Sequence, residues 1–210
     1  MQSYVIHLIR HGAVDETLKG KYIGSSDVNL SRQGREGLVL IRETAGYPTS
    51  VQRVFSSPLQ RCTQSCELIF PGHEITCMSC FSECDFGKWE GKSAAELASE
   101  PEFAMWLQNS DKTPPPGGES GKEFASRVSR GFERLVETLS AEGITESALV
   151  THGGVIMTIL AMYGLPQAPS YQWRMDNGYG FSLRINPFLW MRERVAEVYD
   201  TCPAAPKSEG

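Results

Sequence analysis

The apolar positions of the chain follow two rhythms that alternate along its length. Tyr4 to Ile9 is an almost unbroken apolar run, interrupted only by His7, and reads as a buried strand. In "LSRQG", Ser31 is an N-cap for a helix reaching about Thr44. Val51 to Ser56 gives a second short strand, Pro58 opens a helix through Ile69, and Glu74 to Met78 gives a third strand. The longest helical pattern runs from about Gly121 to Ala141, where Phe124, Val128, Phe132, Leu135 and Leu139 recur on one face. Ala148 to Thr151 is a fourth strand, Val155 to Tyr163 an apolar helix, and Phe181 to Ile185 and Val195 to Tyr199 are late strands.

Two stretches break the alternation. Residues 13–30 are irregular and contain glycine. Residues 81–119 hold "FSECDFGKWEG", short helices from Ser93 and around Glu102 to Gln108, and the turn "TPPPGGES". The second reads as an excursion from the main sheet. The last residues, "PAAPKSEG", are expected to be a disordered tail (203–210), leaving one domain over 1–202. Strands alternating with helices predict an α/β fold with a mostly parallel sheet, whose ligands bind at the carboxyl ends of the strands. Two strands end alike, in "LIRHG" and "LVTHGG", so His11 and His152 are expected to meet across one crevice.

Composition narrows the choice of partner. A net charge of -5 gives no support for a nucleic-acid or anionic-membrane partner. No apolar run approaches the roughly 20 residues that cross a bilayer, and the first strand is followed by no small-residue cleavage site, so a cytoplasmic protein is expected. Of six cysteines, Cys77, Cys80 and Cys84 have a metal-like spacing, but no second well-spaced pair follows. Reduced, half-buried thiols are the expectation, with no metal and no cofactor.

Singly, the candidate site residues are ordinary. Arg10 and His11 suit a surface ion pair, although a strand tip beside Gly12 favours a site. Arg61 suits a solvated helix face, His152 a packed ring, and Glu83 a loop between aromatic residues. Together, two arginines, two histidines and a glutamate form a phosphoryl-transfer set. Arginine matches phosphate oxygens with a planar fork, and a neutral imidazole attacks phosphorus. Neighbouring arginines oppose protonation of that imidazole, and Gly12 lets the backbone approach the phosphate.

The ordered set "LIRHG", "SSPLQRC", "ECDFGKWEG", "GGES…RV" and "VTHGG", over about residues 5 to 160, resembles the histidine phosphatase superfamily, also called phosphoglycerate mutase-like. The resemblance implies a three-layer sandwich with a mostly parallel central sheet flanked by helices and carrying a small helical insertion. It implies His11 as nucleophile, with Arg10, Arg61 and His152 on the phosphoryl oxygens. Glu83 would be the general acid, and the partner a small-molecule phosphomonoester. Two positions depart from the common pattern. Thr17 stands where relatives often carry a phosphate-contacting asparagine, and is assigned to the phosphate site with its hydroxyl; Asn29 replaces a proline. "ECDFGKWEG" and the compact length are closer to the broad-specificity and α-ribazole phosphatases of cobalamin assembly than to glycolytic mutases. The expected activity is therefore phosphatase, on α-ribazole phosphate or a sugar phosphate, with mutase-type transfer as the alternative. Residues 81–119 are expected to roof the site, with Tyr22, Phe86, Trp89, Met105 and Trp106 either lining it or forming ordinary core. Lys88 and Lys92 are either solvated or placed to meet a second anionic group. Whether burial or the arginines dominate the acidity of Glu83, and whether the chain forms a homodimer, are left open.

Overall fold

The computed structural model describes residues 2–204. Seven strands form one sheet: β1 (Tyr4–Arg10), β2 (Arg53–Ser56), β3 (Ile75–Cys77), β4 (Glu146–Thr151), β5 (Gly164–Leu165), β6 (Gly180–Ile185) and β7 (Ala196–Cys202), in the order β3-β2-β4-β1-β6-β7-β5. β1, β2, β3 and β4 are mutually parallel, β6 runs antiparallel to both β1 and β7, and β5 is parallel to β7. The mostly parallel α/β sheet expected from the alternation is present, with β6 as its one reversed strand.

The period-two pattern of the strands sorts the core onto two faces. Ile6, Leu8, Phe55 and Leu149 point to one side, where they pack under α5 (Gly121–Glu142) and α6 (Gly153–Tyr163). Ile9, Val54, Ala148 and Val150 point to the other, with Leu38 of α1 (Arg32–Thr44) and Cys62, Cys66 and Ile69 of α2 (Gln60–Ile69). Helices therefore cover both faces, which is the three-layer arrangement. His7, the polar break in β1, is buried with its ring nitrogens at Ser182 Oγ (2.8 Å) and Glu146 Oε1 (3.2 Å), so its burial leaves no polar atom unpaired.

Local chemistry sets the helix starts. Ser31 accepts from the Gly34 amide, and Ser120 and Glu123 form a reciprocal capping box at the start of α5. α5 ends where Gly143 turns left-handed at φ 68°. α2 begins two residues later than Pro58 suggests. Its first amide, of Gln60, is held at 2.7 Å by the carboxylate of Asp27, thirty-three residues upstream. Sequence reading also misses β5 and α7 (Pro187–Glu193), both too short for a periodicity to declare itself, and stops β7 three residues early. The proposed tail is corrected at its start: Pro203 is buried behind Cys202, and 205–210 lie outside the described residues.

Residues 81–119 contain one 3₁₀ turn (Gly87–Trp89), α3 (Ala94–Leu97) and α4 (Pro101–Gln108). Trp89, Leu97 and Phe103 form a third apolar cluster, joined by Tyr22, Phe86 and Trp106. The Tyr22 ring lies 5.0 Å from Phe86 and 5.6 Å from Trp106. The excursion thus grips the segment around Tyr22 from outside the sheet. Among the described residues, no helix is long and apolar enough to cross a membrane.

Leu135 is fully buried in the core beneath α5, whereas Leu40 on α1 is 60% exposed. Leu135→Ala is expected to cost about 2–5 kcal/mol, and Leu40→Ala to stay within about 0.5 kcal/mol; urea unfolding of both variants checks the assignment of the buried face.

Candidate active site

The parallel pairing of β1 with β4 places Arg10 opposite Thr151, and the His11 amide donates to the Thr151 carbonyl at 2.9 Å. The next residue of each strand is a histidine. The rings of His11 and His152 consequently stand edge to face, with centroids 5.2 Å apart. β2 ends beside them, and Ser57 and the first turns of α2 bring in Arg61. These groups open onto a cavity of about 860 Å³ at the carboxyl end of β1 and β4, where Arg10, His11, Arg61, Glu83 and His152 converge.

His11 is held by one bond. Its Nδ1 lies 2.7 Å from the Gly12 carbonyl oxygen, which can only accept, so Nδ1 carries the proton and Nε2 keeps its lone pair. Burial, with Arg61 and Arg10 adding to it, holds the ring pKa down at about 3 despite the Gly12 bond. The ring is neutral throughout the physiological range. The Asn177 side chain donates to the His11 carbonyl at 2.8 Å and fixes the backbone behind it.

Arg10 donates from Nη1 to the Met175 carbonyl at 2.9 Å, while its buried Nε has no partner among the described residues. An orphan guanidinium N–H at a cavity wall fits an anionic oxygen arriving from the cavity. Arg61 is almost fully buried; Nη1 and Nη2 donate to the carbonyls of Ser26 and Gly24, each at 2.7 Å, and Nε to His152 Nδ1 at 3.3 Å. His152 therefore carries its proton on Nε2, 2.8 Å from Ser57 Oγ, and burial lowers its pKa well below the ordinary value. Both of its nitrogens are engaged within the protein, at Arg61 Nε and Ser57 Oγ, and its ring stands against that of His11.

Glu83 accepts from the Cys84 amide and, at 3.0 Å, from the Gly154 amide in the first turn of α6. Burial raises its pKa above the ordinary carboxylate value, outweighing the opposing pull of those amides, Arg61 and Arg10. The contest left open by the sequence is decided by desolvation. A side chain at position 154 would overlap the Glu83 carboxylate, so the second glycine of "THGG" makes room for the acid. The backbone around Glu83 is held by Arg127, which donates to the carbonyls of Cys80 (2.9 Å) and Ser82 (3.1 Å) and pairs with Glu119 at 2.7 Å.

Three expectations are corrected. Thr17 is exposed, its hydroxyl is bonded to Asp15 at 2.6 Å, and it does not line the cavity. Gly12, expected to bring the backbone close to phosphate, is buried and does not line the cavity; its amide donates to Ser65 Oγ at 2.9 Å, its carbonyl accepts from His11, and it fits against Leu38 and Gly34. Of residues 81–119, Glu83 alone lines the cavity. The aromatic roof packs on itself, Met105 is 57% exposed, and Lys92 pairs with Glu100. The walls come instead from residues 13–23, including Val14, Leu18, Lys19 and Lys21, and from Arg174 to Asn177. Neither segment has a periodicity or motif that sequence reading could seize. Cys77 is exposed and Cys80 and Cys84 are partly buried, and among the described residues no group of three His, Cys, Asp or Glu converges as a metal site.

The model of the histidine phosphatase superfamily (branch 1) matches residues 6–197. The chain belongs to this superfamily. It is 26% identical over 176 residues to the adenosylcobalamin/α-ribazole phosphatase of Salmonella typhimurium, covering 81% of this chain and 85% of that one. It is also 26% identical over 196 residues to the 2,3-bisphosphoglycerate-dependent phosphoglycerate mutase of Brucella ovis, covering 88% and 93%. The crystal structure of the α-ribazole phosphatase from Shigella flexneri superposes with a TM-score of 0.79 at 22% identity, covering 98% of this chain and all of that one, which supports the fold. The histidine phosphatase chain is thus an enzyme of the phosphatase type with the phosphoglycerate mutase-like architecture.

Gly154→Ala is expected to displace the Glu83 carboxylate and lower turnover at least about tenfold while the chain stays folded, as steady-state rates beside a melting curve will report. A second expectation concerns proton linkage at His11. From its ordinary 6.5 down to about 3, the unfolded chain binds a proton at His11 that the folded chain does not, so this residue makes stability fall as pH falls. Relative to the parent, His11→Gln should be more stable at pH 5 than at pH 8, measured by urea unfolding at both.

Proposed function

We propose that this histidine phosphatase is a metal-independent phosphomonoester hydrolase that works through a phosphohistidine on His11. The observation that carries the reading is the pinned His11 ring, whose Nδ1 is spent on Gly12 and whose Nε2 is left bare beside Arg10, Arg61 and Glu83. In the first step Nε2 attacks phosphorus and the P–O bond to the alcohol breaks. Arg10 and Arg61 neutralise charge on the equatorial oxygens. Glu83, its pKa raised by burial, gives its proton to the leaving alkoxide. In the second step the Glu83 carboxylate takes a proton from water as that water attacks the phosphohistidine, releasing inorganic phosphate and regenerating neutral His11.

We assign α-ribazole 5'-phosphate as the substrate, in cobalamin assembly. The Salmonella relative, the "ECDFGKWEG" motif and a cavity much larger than a phosphoryl group support this reading. A second reading is favoured by Lys19, Lys21 and Arg174, which line the cavity and make no ion pair among the described residues. Three free cations suit a phosphate ester bearing a further acidic group, as in mutase-type transfer or sugar-phosphate hydrolysis, and the Brucella relative agrees with it. A cytoplasmic setting suits six free thiols.

Phosphate release from p-nitrophenyl phosphate, 3-phosphoglycerate and α-ribazole phosphate in EDTA distinguishes these readings. Strong preference for α-ribazole phosphate supports the first; transfer with little free phosphate, or preferential release from 3-phosphoglycerate, supports the second. His11→Ala is expected to fall to background, and Glu83→Gln to slow alcohol release about 10²–10⁴-fold; a Glu83→Gln enzyme impaired only in dephosphorylation removes Glu83 as the acid.

A further inference from the structure

Glu90 lies outside the cavity and makes no ion pair among the described residues, yet its carboxylate is among the most heavily bonded groups in the chain. It accepts from the amides of Gly24 (3.0 Å), Ser25 (2.9 Å) and Ser26 (3.3 Å), from Ser26 Oγ (2.6 Å) and Ser25 Oγ (3.4 Å), and from the Phe86 amide (3.1 Å). Three consecutive amides aimed at one carboxylate fix the 24–26 segment closely, since an ionised carboxylate is acceptor-only and all its lone pairs are used. The carbonyls of that same segment, at Gly24 and Ser26, receive Nη2 and Nη1 of Arg61. The segment is also pressed against the acid's own strand of chain: a side chain at position 24 would overlap the Cys84 carbonyl, and Ser25 Oγ donates to Asp85 at 2.8 Å. Glu90 therefore sits behind a short strip of backbone whose far side holds Arg61 and whose edge abuts the residues after Glu83.

We propose that Glu90 is a positioning residue that fixes the Arg61 guanidinium through the 24–26 segment, setting its placement relative to Glu83. This deepens, and rests on, the phosphohistidine reading. The negative charge of Glu90 also helps keep the buried Arg61 cationic. Arg61 stabilises an oxygen arrangement that is fully developed only in the transition state, so loosening it costs transition-state binding more than ground-state binding. Glu90→Gln is the decisive change. It keeps the shape, but whichever oxygen becomes an amide nitrogen faces backbone N–H groups and can no longer accept from them.

The test measures orthovanadate and inorganic phosphate affinities by calorimetry, with kcat, in the parent, Glu90→Gln, Arg61→Lys and the double variant. Vanadate binding in Glu90→Gln is expected to weaken about tenfold or more while phosphate binding weakens about threefold. In the Arg61→Lys background Glu90→Gln is expected to add little, because two residues acting through one interaction are not additive. Unchanged vanadate affinity, or full additivity with Arg61→Lys, overturns the proposal. Anion affinities need no turnover. A parent that binds vanadate but hydrolyses nothing therefore removes the hydrolase reading alone, and an active parent with an unaltered Glu90→Gln removes this one alone. If Glu90→Gln melts below the assay temperature, Ser26→Ala replaces it in the same cycle, with a vanadate loss of about threefold expected and no loss overturning the proposal.

Discussion

The site depends on one register. β1 and β4 lie side by side in parallel with Arg10 level with Thr151, and each strand is followed at once by a histidine. A slip of one residue would turn Ile6 and Leu8 to the opposite face and exchange the layers they pack against, so the core strongly specifies the pairing. The adjacency of His11 and His152 follows from hydrophobic burial two to five residues back along each strand. The catalytic geometry is thereby fixed by the apolar faces of two strands, not by contacts between the polar groups, which repel one another's protonation.

Burial is used in two directions within a few ångströms. It holds the His11 ring neutral and raises the pKa of Glu83 above the ordinary carboxylate value. The arginines reinforce the first effect and oppose the second. The amides of Cys84 and Gly154 that hold the Glu83 carboxylate oppose the second effect as well, and desolvation outweighs amides and arginines together.

The parts of this arrangement that were legible in the sequence are those written locally. Strand β1 ends at Arg10, just before His11-Gly12, because an apolar run stops there, and α5 declares itself by five apolar residues at helical spacing. Arg10, His11, Arg61, Glu83 and His152 do converge. What was not legible depends on contacts between distant segments. Thr17 was assigned by its place in a motif, yet a hydrogen bond to Asp15 turns its hydroxyl away from the cavity. The aromatic residues of 81–119 suggested a roof because they are apolar and close in sequence to Glu83; their mutual packing with Tyr22 satisfies that apolarity elsewhere. Asn177 and Met175 reach the site from the approach to β6, a strand whose reversed direction no local pattern announces.

The cavity walls have a different origin from its floor. The reacting groups sit on strand ends, helix starts and the braced segment at Glu83, whereas the walls are 13–23 and Arg174 to Asn177, connections that carry little of the core. The groups on the floor and those on the walls therefore lie on different segments of the chain. Side chains such as Lys19, Lys21 and Arg174 can be exchanged without touching the pairing of β1 with β4. A fold divided in this way can change its substrate by drift in two loops while the bond it breaks stays the same.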